Sequence, residues 1–311
     1  MTEANTAAVP VDGAELKRRI VEVMRGASTE VTTHDDGILP EIVRELPPDC
    51  TVYVAHTPKA TLDDVIRVAA RIQSMGVRAC PHIVARRIES EQALRNALRA
   101  ARDAGIETIL ALAGDRDPPA GPFRSSLEVL ATGATVDAGI KSIGVAGHPE
   151  GHKQVETPVL WEALREKQAF AERTGTQVRI VTQFAFEPEV FLNWEAELRS
   201  NGINLPVYFG LAGPTPLTKL IKYAMACGVG ASLNALMKNT SLLGHVTGTA
   251  ATPDEMLTGI VRGMIQRDTK LLVKPHFFAL GGAVATARWM RAVAAGEFDL
   301  KPNSDKFVMR A

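Results

Sequence analysis

Cysteine is scarce in this chain: three residues in 311, Cys50, Cys80 and Cys227, an odd number at wide spacing. That excludes a disulfide framework or a zinc cluster and fits buried, reduced thiols. Excess charge is missing as well, since 35 Lys and Arg balance 35 Asp and Glu. No basic surplus argues for nucleic acid or an anionic membrane as a partner. No apolar run approaches the length of a membrane span, and Met1–Ala14 lacks the charged start and long hydrophobic stretch of a secretion signal, so the sequence predicts a cytoplasmic protein. Nucleotide-binding loops are absent too. Gly228-Val229-Gly230 lacks the third glycine of a dinucleotide fingerprint, and no Gly-Lys-Ser or Gly-Lys-Thr closes a phosphate loop. In His148-Pro149-Glu150-Gly151-His152 the glutamate is misplaced for a zinc protease and Pro149-Glu150-Gly151 is a poor helix interior, so no metal is assigned.

What the chain has is repetition. Six times a helical pattern ends in glycine and a β-branched run follows at once. The glycines are Gly76, Gly105, Gly139, Gly175, Gly202 and Gly228, opening Val77–Val84, Ile106–Leu112, Ile140–Ala146, Thr176–Phe184, Ile203–Phe209 and a weaker Val229–Leu233. Glycine suits the left-handed residue that closes a helix, and an apolar run suits a strand covered on both faces. The spacings of 29, 34, 36, 27 and 26 residues each fit one strand and one helix. Ser28–Thr33, Thr51–His56 and Lys270–Leu280 read as further strands. Helices are predicted around Pro40–Leu46, from Pro253 on, and over Gly281–Ala295. Thr247–Gly248–Thr249–Ala250 reads as part of an insertion over the barrel mouth. The whole predicts an α/β fold, a single-domain (β/α)8 TIM barrel over residues 15–311, preceded by a loose tail over residues 1–14.

In such a barrel chemistry gathers at the carboxyl ends of the strands. Glu30 lies in the first strand, His56 ends the second and His82 the third. Asp115 follows the fourth after Ala113 and Gly114; His148 and His152 follow the fifth. Gln183, Phe184 and Phe186 end the sixth, and His276 and Leu280 come with the last. Carboxylates, imidazoles, an amide and aromatics on one face suit a flat heterocycle that needs edge hydrogen bonds and proton transfer. Phe184, Phe186, Phe209 and Leu280 are candidates for an apolar mouth. Trp161, Trp194 and Trp289 read as packing groups. Each polar residue also has a plain structural reading: Asp115 as a helix cap or loop ion pair, Glu30 as a solvated residue beside the polar His34-Asp35-Asp36, Gln183 as a partner for backbone inside the barrel, and the histidines as completed hydrogen bonds.

At these residues the chain resembles the methylenetetrahydrofolate reductase family. The matching segments are Ser28-Thr29-Glu30, Cys80-Pro81-His82, Ile109 to Asp115, Ile143 to His152 and Val181-Thr182-Gln183-Phe184, in the family's order and roughly its spacing. The resemblance implies a barrel that uses FAD to pass hydride from NADH or NADPH to 5,10-methylenetetrahydrofolate, giving 5-methyltetrahydrofolate. It implies Glu30 as the general acid and Asp115 as a catalytic group that also binds the pterin. Gln183, Phe184 and Leu280 would contact the folate, and His56, His82, Ala113, Gly114, His148, His152 and Lys167 would surround the cofactor. The partners implied are the folate and a nicotinamide nucleotide; a homo-oligomer stays open. Departures cluster on the flavin side. Ala113 stands where the family has Arg, Ala55 and His56 where it has Thr and Tyr, Leu160 where it has Asp, and Val31-Thr32-Thr33-His34 where an aromatic-proline stretch is usual. Two other readings stay open: the same chemistry run oxidatively in a demethylation pathway, and a folate- or flavin-binding barrel without turnover.

Overall fold

The computed structural model describes residues 11–227, 252–301 and 304–310. Strands β1 (Ser28–Thr32), β2 (Thr51–Ala55), β3 (Arg78–Val84), β4 (Thr108–Leu112), β5 (Ser142–Gly147), β6 (Gln177–Phe184), β7 (Val207–Ala212) and β8 (Leu272–Phe278) form a closed barrel in chain order. All pairings around it are parallel, and Ser28 opposite His276 closes the ring. The helices are α1 (Gly13–Met24), α2 (Leu39–Glu45), α3 (Leu62–Ser74), α4 (Glu91–Asp103), α5 (Ser126–Ala131), α6 (Ala134–Asp137), α7 (Thr157–Thr174), α8 (Pro188–Ser200), α9 (Leu217–Cys227), α10 (Asp254–Arg267) and α11 (Ala283–Ala294). A short hairpin of β9 (Phe298–Leu300) and β10 (Phe307–Met309) packs Phe298 and Phe307 beside Trp289. The (β/α)8 architecture predicted from the glycine repeat is the one observed.

The repeat has a local cause. Gly76, Gly105, Gly139, Gly175 and Gly202 all have φ between 70° and 81°, the region where only glycine escapes a Cβ penalty. At three of them the chain makes a pair of hydrogen bonds back to the helix. Gly105 N–H donates to Arg102 O and Ile106 N–H to Ala101 O; Gly139 and Ile140 bond to Val136 and Thr135, and Gly202 and Ile203 to Arg199 and Leu198. These are helix-closing motifs in which the apolar residue after glycine packs back on the helix. Ile106, Ile140 and Ile203 are therefore caps, and their strands begin two to four residues later than predicted. The predicted strand Val229–Leu233, with Gly228, lies outside the described residues, as does the Thr247–Ala250 stretch.

At the amino end, Asp12 Oδ2 accepts from the backbone N–H groups of Ala14 and Glu15, both at 3.1 Å. This cap starts α1 at Gly13, so Gly13 and Ala14 belong to a helix and not to the predicted tail.

Two cores result. The larger lies between strands and helices, where outward side chains such as Val52, Ile109, Val145 and Phe209 meet Ile66, Leu98 and Phe191. The smaller fills the barrel with Tyr53, Cys80, Leu110 and Val181. Parity along the strands decides membership: the register Glu30–Tyr53–Cys80 and Thr108–Ser142 puts these residues on the inner face. Arg179 enters this interior without a carboxylate. Its guanidinium donates to Tyr53 Oη at 3.0 and 2.8 Å, to Ser142 Oγ at 2.6 Å and to Thr108 Oγ1 at 2.9 Å. Neutral acceptors on three strands, β2, β4 and β5, thus hold one buried cation across the barrel.

Candidate active site

Glu30 projects from the inner face of β1 toward the barrel mouth, keeping 19% of its side-chain surface. Burial pushes its carboxyl up to about 7, and the charge of Asp35 adds to the shift. Asp35 is fixed nearby because its carboxylate accepts from Thr32 N–H at 2.7 Å and from Thr32 Oγ1 at 2.9 Å. The polar loop expected at His34-Asp35-Asp36 is a capped 3-10 turn, Thr33–Ile38, and Glu30 stands apart from it as an inward residue of the strand. A carboxyl with this environment is half-protonated near neutral pH, which a proton donor requires.

Below Glu30 lies His276, 1% exposed, with Nε2 4.0 Å from Glu30 Oε2 and Nδ1 2.9 Å from Ser28 Oγ. His82 on β3 is also buried, and Tyr53 meets both rings edge-on, at 6.2 Å for His82 and 4.6 Å for His276. Burial drives both imidazoles down to about 3, so both are neutral in the working range. His56, just after β2, is buried and lowered for the same reason, and its Nε2 lies 3.1 Å from Ala60 O. Among the described residues, neither His82 Nε2 nor His56 Nδ1 has a hydrogen-bond partner.

Asp115 is at the mouth but solvated, with 84% of its side chain exposed. It accepts from Arg87 Nη2 at 3.0 Å, joining the loop after β4 to the turn Ala85–Arg87 after β3. The same turn organises that loop further: Arg86 donates to the carbonyls of Arg124 and Arg116, and its N–H to Ala113 O. Gly114 between them has φ 88°, and a Cβ there would come within 2.3 Å of Val84 Cγ1, so glycine is required by both backbone and space. Arg86 and Arg87 were not among the expected site residues, although two arginines directly after a strand are a readable signal.

Across the mouth, Phe184, Leu280 and Leu220 bury against Phe186, Phe278 and Ala212. Phe184 meets Phe186 at 5.8 Å and Phe278 at 5.5 Å, and Phe278 meets His276 at 4.9 Å. This is the apolar wall expected at strand ends six and eight, with Gln183 half-buried next to it. Phe209 is not part of it. Its outward parity on β7 sends it to Phe191 of α8, behind the barrel wall.

His148, His152 and Lys167 gather elsewhere, in or beside a cleft of about 330 Å³ between the loop after β5 and helices α7 and α8. The His148 and His152 rings meet edge-on at 5.0 Å, and Trp161 stacks on Trp194 at 6.0 Å. Both tryptophans pack on the core, as expected of them, and both also line the cleft. Among the described lining residues Lys167 is the one lysine or arginine, and Glu150 and Glu197 oppose it. Burial lowers Lys167 to about 8, leaving it charged at neutral pH; burial, then His152 and Lys167, lower His148 to about 4, leaving it neutral. In this cleft the Lys167 ammonium and the aromatic pair suit a group with a flat ring and a phosphate. Leu160 lines the cleft as an apolar residue, and Ala113 lies exposed on the β4 loop.

The described residues contain no group of three or more His, Cys, Asp or Glu able to hold a metal ion, and no helix long and apolar enough to cross a membrane.

Comparison with known proteins places this geometry in a family. Methylenetetrahydrofolate reductase 2 of Saccharomyces cerevisiae is 26% identical over 167 residues, covering 50% of this chain and 27% of that protein. Methylenetetrahydrofolate reductase (NADH) 1 of Arabidopsis thaliana is 28% identical, covering 49% and 28%, and the Zea mays protein of the same name is 26% identical, covering 67% and 40%. The match thus takes in between about a quarter and two fifths of these relatives' length. The family model described as methylenetetrahydrofolate reductase matches residues 45–239, a span that includes Asp115, Lys167 and Gln183 and leaves Glu30 and Leu280 outside. Because that match covers more than half of the 311 residues, the chain belongs to the methylenetetrahydrofolate reductase family.

Proposed function

We propose that this barrel catalyses the NAD(P)H-dependent reduction of 5,10-methylenetetrahydrofolate to 5-methyltetrahydrofolate, with Glu30 as the proton donor. The observation that carries the reading is the state of Glu30: a carboxyl facing the mouth, raised to about 7 by burial and by Asp35. The methylene bridge of the folate is a cyclic aminal. Protonating one of its nitrogens lets that C–N bond break to an iminium, and the iminium carbon accepts hydride. Glu30 supplies that proton and becomes a carboxylate; the hydride brings two electrons, and the product carries a methyl group on the other nitrogen.

Asp115 receives the pterin edge, since a carboxylate accepts two adjacent N–H donors. Arg87 holds it in place for that contact through the 3.0 Å hydrogen bond, a different duty from that of Glu30. Gln183 offers an amide to the same ring system, and Phe184 and Leu280 give the folate and the nicotinamide an apolar wall to stack on. The word NADH in the names of the plant relatives supports NADH as the hydride source.

A bound FAD would carry the two electrons between nicotinamide and folate. For that group this chain would offer Lys167 as the charged contact, the neutral His148 and the neighbouring His152 as hydrogen-bonding rings, and Trp161 as a flat surface; the family resemblance would add His56 and His82. With Ala113 and Leu160 giving no charged contact, FAD is held weakly, and direct transfer from NADH to the folate is the second route. The same site serves the oxidative direction, because a proton donor is a proton acceptor in reverse. The test is NADH oxidation with and without methylenetetrahydrofolate, using protein stripped of flavin and protein re-titrated with FAD.

A further inference from the structure

The acid stands on a second titratable group that never reaches the mouth. His276 is 1% exposed, its ring clamped edge-on by Tyr53 at 4.6 Å and by Phe278 at 4.9 Å. The charged and titratable groups around the pair are Asp35 beside Glu30, and Tyr53 from β2, His82 from β3 and Arg179 from β6 around His276. Burial, His82 and Arg179 all disfavour a charged imidazole, so His276 is neutral wherever the enzyme works. A neutral imidazole has one N–H and one lone pair. Ser28 Oγ lies 2.9 Å from Nδ1, and when its hydroxyl donates there the ring hydrogen sits on Nε2, aimed at Glu30. The opposite tautomer would set a lone pair against the lone pairs of a carboxylate.

Glu30 needs such a donor at only one moment. Its carboxylate forms where burial and Asp35 both oppose negative charge, as the proton leaves. Nε2 and Oε2 are 4.0 Å apart, about 1 Å beyond a hydrogen bond, so the protonated acid is not tied up. Contacts of this kind are long in the free enzyme and tighten in the complex.

We propose that His276 is a positioning residue whose Nε2–H, fixed by the Ser28 hydroxyl on the other ring nitrogen, receives the Glu30 carboxylate as it gives up its proton. The imidazole neither gains nor loses a proton: the Glu30 proton goes to the folate nitrogen, and the C–N bond to that nitrogen breaks. The proposal rests on Glu30 being the acid.

The experiment combines nitrogen-15 NMR of His276 in the full-length protein with kinetics of His276→Phe, His276→Gln and Ser28→Ala. The spectrum is expected to show a neutral ring with hydrogen on Nε2 across pH 5 to 8. His276→Phe keeps a ring against Tyr53 and Phe278 but loses the donor. A hydrogen bond to a charged group is lost, so kcat is expected to fall roughly ten- to a hundredfold with little change in the KM for folate. The alkaline limb of kcat is expected to move up, by about one pH unit, because the carboxylate is less stabilised. His276→Gln, which keeps an N–H, is expected to restore part of the rate, and it replaces His276→Phe should the latter not fold. Ser28→Ala is expected to give a smaller loss in the same direction. Hydrogen on Nδ1, an imidazolium at neutral pH, or a His276→Phe protein with the kcat and limb of the parent overturns the proposal. Failure of the underlying reading is seen separately, as near-normal turnover by Glu30→Gln.

Discussion

Arg87 Nη2 and Asp115 Oδ1 lie 3.0 Å apart, tying the end of β3 to the end of β4 across the rim of the barrel. The arginine is nearly covered at 12% exposure while the aspartate is open at 84%, so the pair presents the Asp115 carboxyl group to the mouth on a fixed stem. Asp115→Ala is expected to weaken folate binding and turnover while leaving the fold intact. An exposed ion pair contributes about 0–1 kcal/mol to stability, so thermal unfolding is expected to stay close to that of the parent. Arg87→Ala is expected to raise the KM for folate in the same direction by a smaller factor. Folate kinetics unchanged in Asp115→Ala would remove the residue from the site.

Glu30→Gln separates acid chemistry from hydride delivery. The amide keeps the shape but has no carboxylic proton, so folate reduction is expected to drop by about 10²–10⁴, the usual range for a lost general acid. Nucleotide binding, and electron transfer from NADH to flavin when FAD is supplied, are expected to persist.

The same carboxyl predicts a pH effect on stability. Its folded value of about 7 lies above the ordinary value of 4.5, so the fold disfavours the charged form. The parent protein therefore loses stability from this group as pH rises from 4.5 through about 7. Glu30→Gln does not titrate, and its advantage over the parent is expected to be absent at pH 4 and to grow to at most about 3 kcal/mol by pH 8. Denaturant unfolding at several pH values checks this; an advantage that is constant with pH would show that Glu30 is not desolvated. For activity the sign is the same: kcat is expected to fall as pH rises through the titration of Glu30.

Lys167 is the anchor of the cleft beside α7. Lys167→Ala is expected to reduce affinity for a phosphate-bearing nucleotide roughly ten- to a hundredfold, the worth of one charged hydrogen bond. FAD added to the parent protein is expected to wash out on dilution. Stoichiometric flavin retained through purification would contradict weak binding.

Inside the barrel, Arg179→Ala is expected to destabilise strongly, by about 2–5 kcal/mol, because it opens a cavity and leaves Tyr53, Ser142 and Thr108 without their donor. Chemical denaturation reads this directly, and a change under 1 kcal/mol would mean that water replaces the guanidinium.

The barrel was legible because closure by glycine repeats with the fold: Gly76, Gly105, Gly139, Gly175 and Gly202 all occupy the left-handed conformation that the sequence pattern implied. Strand starts were less legible, since a Schellman cap and a strand both ask for an apolar residue after glycine, and Ile106, Ile140 and Ile203 serve the cap. Site residues were readable as strand ends, but their environments were not. Nothing in the spacing separates the desolvated Glu30 from the solvated Asp115, and Phe209 was misplaced because its parity on β7 depends on where the strand begins. Arg179 sits inside the barrel by the same alternation as Val181, and His276 by the same pairing as Ser28; the signal was the two-residue period of β6 and β8, which becomes decisive only once the register is known.

The most direct measurement is NADH consumption by the purified protein, flavin-free and FAD-reconstituted, with methylenetetrahydrofolate added or withheld, in the parent and in Glu30→Gln. The expected result is folate-dependent NADH oxidation, matched one for one by 5-methyltetrahydrofolate and lost in Glu30→Gln. No folate-dependent oxidation in either form of the parent, or equal rates in parent and variant, would contradict a reductase that works through Glu30.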